Sequence, residues 1–207
     1  MKKEYVIMNK SFTSIVLATA MMGCFFSCKK EKKADTSSAA YFISQSETLT
    51  IPDAVALPAN LPNGNTRVAT FFANGVQKYK AQEVAGSNPV SYQWVFVAPQ
   101  ADLYDINNSK VGTHSAGPDW QLSAADSMFG QPFTPAKTAA STDPNGIDWL
   151  LLMPRTGKTP TGVFANVSYV QRIATKGGKA PATPPVASTD VVDVPYTAIY
   201  RFSKKNE

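Results

Sequence analysis

The sequence predicts a mainly β fold: a single antiparallel β-sandwich or barrel-like domain with long Pro- and Gly-rich loops. Three observations predict this class. Six segments are rich in β-branched and aromatic residues, as strands are. Apolar residues in the clearest of these segments recur at every second position, as a strand with one buried face requires. No window holds a dozen residues at a clean helical period, which argues against helices alternating with strands around a parallel sheet.

The six predicted strands cover much of the chain after residue 67. The period of two is plainest in the last of them, where Tyr196, Ala198, Tyr200 and Phe202 share one face. The apolar run 149–154 is unbroken, which predicts a strand that is buried on both faces. The predicted strands are 68–73, 76–82, 91–99, 149–154, 162–174 and 194–202.

The segments between these strands are interpreted as loops. Residues 131–146 and 174–190 are rich in Pro, Gly, Thr and Ala, which predicts long loops. Residues 121–130 have room for one helical turn. Asp102 and Asp105 lie in a polar stretch whose spacing does not match a calcium loop, and we interpret them as residues of a solvated turn. The alternative is that on a turn they share a cation with Asn107 and Asn108.

Residues 1–27 have the features of a lipoprotein-type signal peptide. Lysines precede an apolar run of about 17 residues, which is short for a membrane span. Ser27 precedes Cys28, and we predict that Cys28 carries the lipid; Cys24, which follows Gly23, is the alternative. Three acyl chains at ~0.8 kcal/mol per buried methylene would anchor the protein stably to a membrane.

The rest of the predicted organisation follows from this signal. Residues 28–46 are first charged and then small and polar, as a tether is, and residues 47–207 form the β domain. The residues directly after Cys28 are mainly basic, which favours the periplasmic face over surface export. We therefore predict a lipid-anchored protein of the cell envelope, on the outer membrane and facing the periplasm.

Composition excludes several functions. The net charge is +5, but residues 40–207 hold 13 basic and 12 acidic residues, so no nucleic-acid partner is predicted. The chain has one histidine and two cysteines, and both cysteines lie in the first 28 residues. We therefore predict no metal site, thiol nucleophile or disulfide in the domain. No cofactor is predicted either, because the sequence RTGKT lacks the first glycine of a phosphate loop and GxGxxG is absent.

The densest group of polar and titratable residues is 99–120, and within it residues 112–120, GTHSAGPDW, are the candidate small-ligand site. His114 can act as an acid or a base near neutral pH, and the indole face of Trp120 can stack on a sugar or cover a cation. The alternative interpretation is a structural corner, in which His114 hydrogen-bonds to the backbone and Trp120 fills the core. Trp149, and Arg172 in its mostly apolar strand, complete the predicted ligand-binding set. A structural alternative for Arg172 is an ion pair with a carboxylate at the sheet end, or exposure to solvent.

Five ordered blocks resemble one family of proteins. The blocks are WVFVAPQADLYD, VGTHSAGPDW, IDWLLLMP, YVQRIATKGGKAPAT and VPYTAIYRF, and the resemblance covers roughly residues 50–203. Together they resemble the domain-of-unknown-function family 3455. The resemblance implies a secreted or envelope β domain with no established activity. Many relatives have cysteines near the positions of Lys80 and Pro184, which this sequence lacks.

Three functions remain open. The favoured one is a non-enzymatic, lipid-anchored domain that binds a small molecule, a glycan or an envelope partner, with no catalytic residue assigned. The second is a hydrolase or lyase that uses His114 with Asp119 or Asp102 as acid and base, which requires a carboxylate within about 3 Å of the imidazole or reachable through one water. The third is a purely structural envelope protein.

Overall fold

Eight antiparallel strands follow one another around a single sheet in chain order, and β8 pairs with β1, so the sheet closes on itself. The computed structural model describes residues 49–207. The predicted β class is confirmed, in its barrel-like form. The ring is irregular, because its strands range from 3 to 19 residues in length. The strands are β1 (Asn65–Glu83), β2 (Tyr92–Tyr104), β3 (Lys110–Ser115), β4 (Asp119–Gln121), β5 (Ser127–Ala139), β6 (Trp149–Pro154), β7 (Tyr169–Gly177) and β8 (Val191–Lys205).

The predicted signal peptide, the tether, and Cys24 and Cys28 all lie outside the described residues. Within residues 49–207, no helix is long and apolar enough to cross a membrane. The helical structure there consists of two short 3-10 helices, Asp53–Val55 and Gly162–Phe164.

The segments 68–73 and 76–82, predicted as two strands, form the single strand β1. Gly75 lies at its middle, opposite Ala101 of β2. A Cβ atom at position 75 would lie 2.1 Å from the carbonyl oxygen of Gln100. The glycine therefore permits a close approach of two strands and does not interrupt the strand.

The prediction of a loop over 131–146 is wrong for its first half, because β5 extends to Ala139. Its pairing with β6 jumps from Pro132↔Leu152 to Lys137↔Leu151, so residues 133–136 bulge out of the ladder. A proline cannot donate a ladder hydrogen bond, and Pro135 lies inside this bulge, where no donor is needed. Prolines are typical of loops, so the sequence of a bulged strand that contains them predicts a loop.

Two further predictions need correction. Residues 162–174 are not one strand, because a 3-10 helix occupies Gly162–Phe164 and β7 begins only at Tyr169. Residues 121–130 contain no helical turn; residues 122–126 make a bend between β4 and β5, and residues 127–130 are the start of β5. The Asp126 carboxylate stabilises this bend by accepting hydrogen bonds from Ser123 Oγ (2.5 Å) and from the backbone N–H of Val163 (2.9 Å).

Side chains on the inside of the ring form the main core. The inner face of β8 carries Tyr196, Ala198, Tyr200 and Phe202, as the period of two predicts, and all four belong to this core. Phe164 fills one end of the ring, where its ring centroid lies 6.2 Å from that of Phe71 and 4.8 Å from that of Phe202. This end is therefore closed by aromatic side chains.

A second core lies on the outside of the ring, where the segment from Leu49 to Leu57 packs over β1, β6, β7 and β8. Val55 is fully buried there, and its carbonyl oxygen accepts a hydrogen bond of 2.8 Å from the buried Gln171 side chain. Strand β6 contributes to both cores, Trp149 and Leu151 to the outer one and Leu152 to the inner one. The prediction that this strand is buried on both faces is confirmed.

Candidate functional site

A cavity of about 340 Å³ lies inside the ring, away from the end that Phe164 fills. All eight strands or the turns between them contribute to its wall. Three of the four predicted ligand-binding residues, His114, Trp120 and Arg172, line it, and Trp149 does not. The lining residues are Gln77, Phe96, Val97, Pro99, His114, Ala116, Gly117, Pro118, Trp120, Pro132, Leu150, Leu152, Arg172 and Tyr200.

A short hairpin positions His114 and Trp120. Strands β3 and β4 place these residues directly opposite each other, and their rings stack with centroids 4.9 Å apart and planes 14° apart. The residues of the turn, Ala116–Pro118, form part of the cavity rim. Gly130 of β5 lies under the indole, since a Cβ atom there would come within 2.9 Å of Trp120 Cζ3. The predicted glycine- and proline-rich block thus builds one wall of the cavity.

The protonation of His114 follows from its hydrogen bond. Its Nδ1 lies 2.6 Å from the backbone carbonyl oxygen of Asp119. A carbonyl oxygen only accepts, so Nδ1 carries the proton and Nε2 presents a lone pair. Burial lowers the pKa of His114 from 6.5 to about 4; the hydrogen bond to Asp119 opposes this shift, and the positive charge of Arg172 adds to it. At neutral pH the ring is therefore uncharged, and Nε2 can accept a hydrogen bond.

Several buried polar atoms at the cavity have no hydrogen-bond partner within residues 49–207. These are Gln77 Nε2, Trp120 Nε1 and the hydroxyl of Tyr200, with the hydroxyl of Tyr196 behind them on the same face of β8. Gln77 is 2% exposed, Trp120 0% and Tyr200 1%. Burial raises the pKa of Tyr200, so its hydroxyl stays protonated and can donate. The wall of the cavity thus holds donors that are removed from bulk water and have no partner in residues 49–207.

Arg172 lies on β7 directly opposite Tyr200 of β8 and Leu150 of β6. Its Nε and Nη2 atoms donate to the backbone carbonyl oxygen of Asp148, at 3.1 and 2.7 Å. The structural alternative of an ion pair with a carboxylate is therefore wrong. In the described part of the chain the ion pairs are Lys78–Asp193 and Lys110–Asp102, and no carboxylate lines the cavity.

The two aspartates suggested as partners of His114 are engaged elsewhere. The Asp119 carboxylate accepts hydrogen bonds from the backbone N–H of Ser115 (3.0 Å) and from its hydroxyl (2.5 Å). The Asp102 carboxylate pairs with Lys110 at 2.8 Å. The imidazole thus bonds to a backbone carbonyl, as the structural interpretation of this block expects, and makes no hydrogen bond to a carboxylate in residues 49–207.

The remaining predicted residues have structural surroundings. Trp149 is 2% exposed and packs in the outer core with Val55 and Ile173. The Asp105 carboxylate accepts from the backbone N–H groups of Asn107 and Ser109, which makes it the turn residue that its polar surroundings indicate. No group of three or more His, Cys, Asp or Glu side chains in residues 49–207 is placed to hold a metal ion.

Sequence reasoning missed Gln77, Phe96, Val97 and Tyr200 as cavity residues. One signal for Gln77 is present in the sequence, since it follows Phe71, Ala73 and Gly75 at steps of two and is the only amide in that inward series. No such signal exists for the others, because an inward-facing Tyr or Phe on a strand also suits an ordinary core.

Comparison with known proteins gives one result. Residues 62–204 match the family described as "Protein of unknown function (DUF3455)". This range includes every residue that lines the cavity. No curated protein and no solved structure matches the chain.

Proposed function

The chain belongs to the DUF3455 family of proteins of unknown function, and we propose that its β ring is a non-enzymatic domain that binds a small molecule in the cavity beside His114, Trp120, Arg172 and Tyr200. We further propose that Cys28 carries a lipid that anchors this domain to the outer membrane, facing the periplasm. The binding proposal rests on the cavity, and the anchoring proposal rests on the N-terminal sequence.

One observation carries the binding proposal. Three side chains that line the cavity, Gln77, Trp120 and Tyr200, have buried donor atoms without a partner in residues 49–207. Leaving such a group unsatisfied costs about 1–3 kcal/mol, so folded proteins contain few of them. Several around one cavity are accounted for by a ligand that accepts their hydrogen bonds.

The architecture supports the same function. An eight-stranded ring has an interior that is either filled by side chains or holds one small ligand, and here the aromatic core fills only part of it. A volume of 340 Å³ is near the lower end of the range of about 300–1,000 Å³ that ligand pockets span, so the ligand is small. Phe96 and Val97 line the cavity and are each about half exposed, at 50% and 51%, which places an apolar rim at its opening.

The non-enzymatic part of the proposal rests on what surrounds His114. An acid–base pair requires a second titratable group at the reacting atoms, and both candidate aspartates have other partners. At neutral pH the imidazole is uncharged, and its Nδ1 proton is held by the carbonyl oxygen of Asp119.

The test is thermal melting of the full chain in detergent against a panel of amides, alcohols, sugars, carboxylates and nucleosides. A ligand at 100 times its Kd adds about 2.7 kcal/mol to the free energy of unfolding, which is a shift of several degrees. We expect one class to raise the Tm, and the shift to disappear in Trp120→Phe. Trp149→Phe is the matched control, because Trp149 is also buried and its Nε1 also lacks a partner in residues 49–207, but it lies outside the cavity. A panel without any shift contradicts the proposal.

The anchor is tested by growth with a radiolabelled fatty acid. We expect the label in the wild-type chain and in Cys24→Ser, and not in Cys28→Ser. Label that is lost in Cys24→Ser and kept in Cys28→Ser would assign the lipid to the other cysteine.

A further inference from the structure

We propose that the ligand of this cavity is a small organic monocarboxylate, whose anionic group is held by Arg172 and Tyr200 and whose apolar body packs against Trp120 and the apolar wall. This inference rests on the proposed function, since it specifies the chemical class of the bound molecule.

The charge of Arg172 is the first argument. Its guanidinium makes two hydrogen bonds to the carbonyl oxygen of Asp148, through Nε and Nη2. These bonds orient the group, but a carbonyl oxygen carries no net charge, and no ion pair in residues 49–207 neutralises Arg172. An oriented, uncompensated guanidinium at a cavity wall is suited to binding a planar anionic group.

The hydrogen-bonding groups around Arg172 are the second argument. Tyr200 lies directly opposite Arg172 on the neighbouring strand, and its ring centroid is 4.8 Å from that of His114. Its hydroxyl, with Trp120 Nε1 and Gln77 Nε2, gives three buried donors without an acceptor among the described residues. A carboxylate has two oxygens that accept several hydrogen bonds and donate none, which complements this excess of donors.

The remaining wall defines the rest of the ligand. Leu150, Leu152, Pro132, Phe96 and Val97 present apolar surface to the cavity. Among the described residues that line it, Arg172 is the one with a positive charge, and none is a lysine. A dianion such as a phosphate monoester would lack a second cation, and a cationic ligand would be repelled by Arg172 without a carboxylate to bind it. A single negative charge on an apolar body fits both parts of the wall.

The experiment compares carboxylates with their uncharged amides. The probes are acetate, hexanoate, benzoate and cinnamate, each paired with its primary amide, titrated into the full chain in detergent at pH 7.5. Binding is measured by calorimetry and by the tryptophan fluorescence of the protein. We expect at least one carboxylate to bind at least 10-fold more tightly than its amide.

The variants locate the effect. Arg172→Gln is expected to remove the preference for the carboxylate, and Tyr200→Phe to weaken carboxylate binding with the fold retained. Arg201→Gln is the matched control, because Arg201 is next to Tyr200 on β8 but does not line the cavity. It removes the same charge and is expected to leave the preference unchanged.

Three results would overturn the inference. Equal binding of carboxylates and amides would refute the anion class and leave the small-molecule function intact. A carboxylate preference that persists in Arg172→Gln would refute the assignment to this cavity. Binding of none of the four carboxylates at about 10 mM, well above a millimolar Kd, would also refute the class. The proposed function is then decided separately by the neutral members of the melting panel.

Discussion

Replacing Tyr200 by Phe is expected to stabilise the ligand-free domain. The hydroxyl of Tyr200 is buried and has no partner in the described residues, whereas in the unfolded chain it is hydrated. An unsatisfied buried group of this kind costs about 1–3 kcal/mol, and the substitution removes it without changing the packing of the ring. We therefore expect the free energy of unfolding to rise by about 1–2 kcal/mol. For a domain of this size, each kcal/mol corresponds to about 2–4 °C in Tm.

The assay is urea unfolding of the ligand-free protein, followed by circular dichroism. The midpoint is expected to increase with the slope m unchanged, which marks a change in stability and not in the denatured state. Tyr169→Phe is the matched control, because the Tyr169 hydroxyl accepts a hydrogen bond of 3.1 Å from Asn60 Nδ2. Removing that partnered hydroxyl is expected to cost about 1 kcal/mol, so the two identical substitutions should have opposite signs.

The reasoning fails if Tyr200→Phe lowers the free energy of unfolding by 1 kcal/mol or more. That result would mean that the hydroxyl is satisfied in the free protein, by ordered water or by a rearranged side chain. The wall of the cavity would then hold one unpaired donor fewer, and the case for a ligand that accepts hydrogen bonds would be weaker. If instead Tyr200→Phe is more stable and binds the ligand less tightly, the domain has given up stability at this position for binding.

Three more outcomes are expected. The folded pKa of His114, about 4, lies below its unfolded value of 6.5, so the unfolded state binds more protons between these pH values. The free energy of unfolding should therefore fall by at most about 3 kcal/mol as the pH drops from 6.5 to 4. Urea midpoints measured across this range should show the fall, and His114→Gln should reduce it. Gly130→Ala places a Cβ atom 2.9 Å from the Trp120 indole, so we expect weaker ligand binding in calorimetry. We also expect the free energy of unfolding to fall by about 1–3 kcal/mol. Gly86→Ala, where the Cβ atom meets open space, should leave ligand binding unchanged. Val55→Ala should lower the free energy of unfolding in urea by about 2 kcal/mol, because it removes two buried carbons and leaves a cavity. Ligand binding should not change, because Val55 lies in the outer core.

Part of the fold follows from the sequence because local pattern and burial agree there. Tyr196, Tyr200 and Phe202 all face the interior, so the period of two is visible in β8. Strand β6 is buried on both faces, and its apolar run is unbroken for that reason. The mainly β class and the barrel-like alternative could be predicted from such segments alone.

The other strands could not be predicted from local pattern. Strand β4 has only three residues, and β5 contains Pro135, which a bulge accommodates. In β1, the sequence around Gly75 predicts a break between two strands, although the glycine is needed for the close approach of β2. In each of these strands the decisive fact is the position of a neighbouring strand, which is set by the register of the whole sheet.

The candidate site was predicted in part for the same reason. His114 and Trp120 are six residues apart, so a single hairpin brings them together, and their block was recognisable. Arg172 and Tyr200 meet this hairpin only because the ring closes. Trp149 carries the same indole as Trp120, but its strand position directs it to the outer face. Sequence pattern does not reveal which face of a doubly buried strand is the inside of a ring.

Closure of the ring through its first and last strands sets the order in which the domain can fold. The register of β1 with β8 runs from Asn65↔Lys205 to Lys80↔Val191, so the longest seam joins the two ends of the domain. Contacts this distant in sequence carry a large loop-closure entropy and slow the folding of β proteins. A growing chain that lacks residues 191–205 has open edges at both β1 and β7. The proposed lipid anchor requires export of the chain, and a ring that only its last strand completes favours an unfolded chain until synthesis ends.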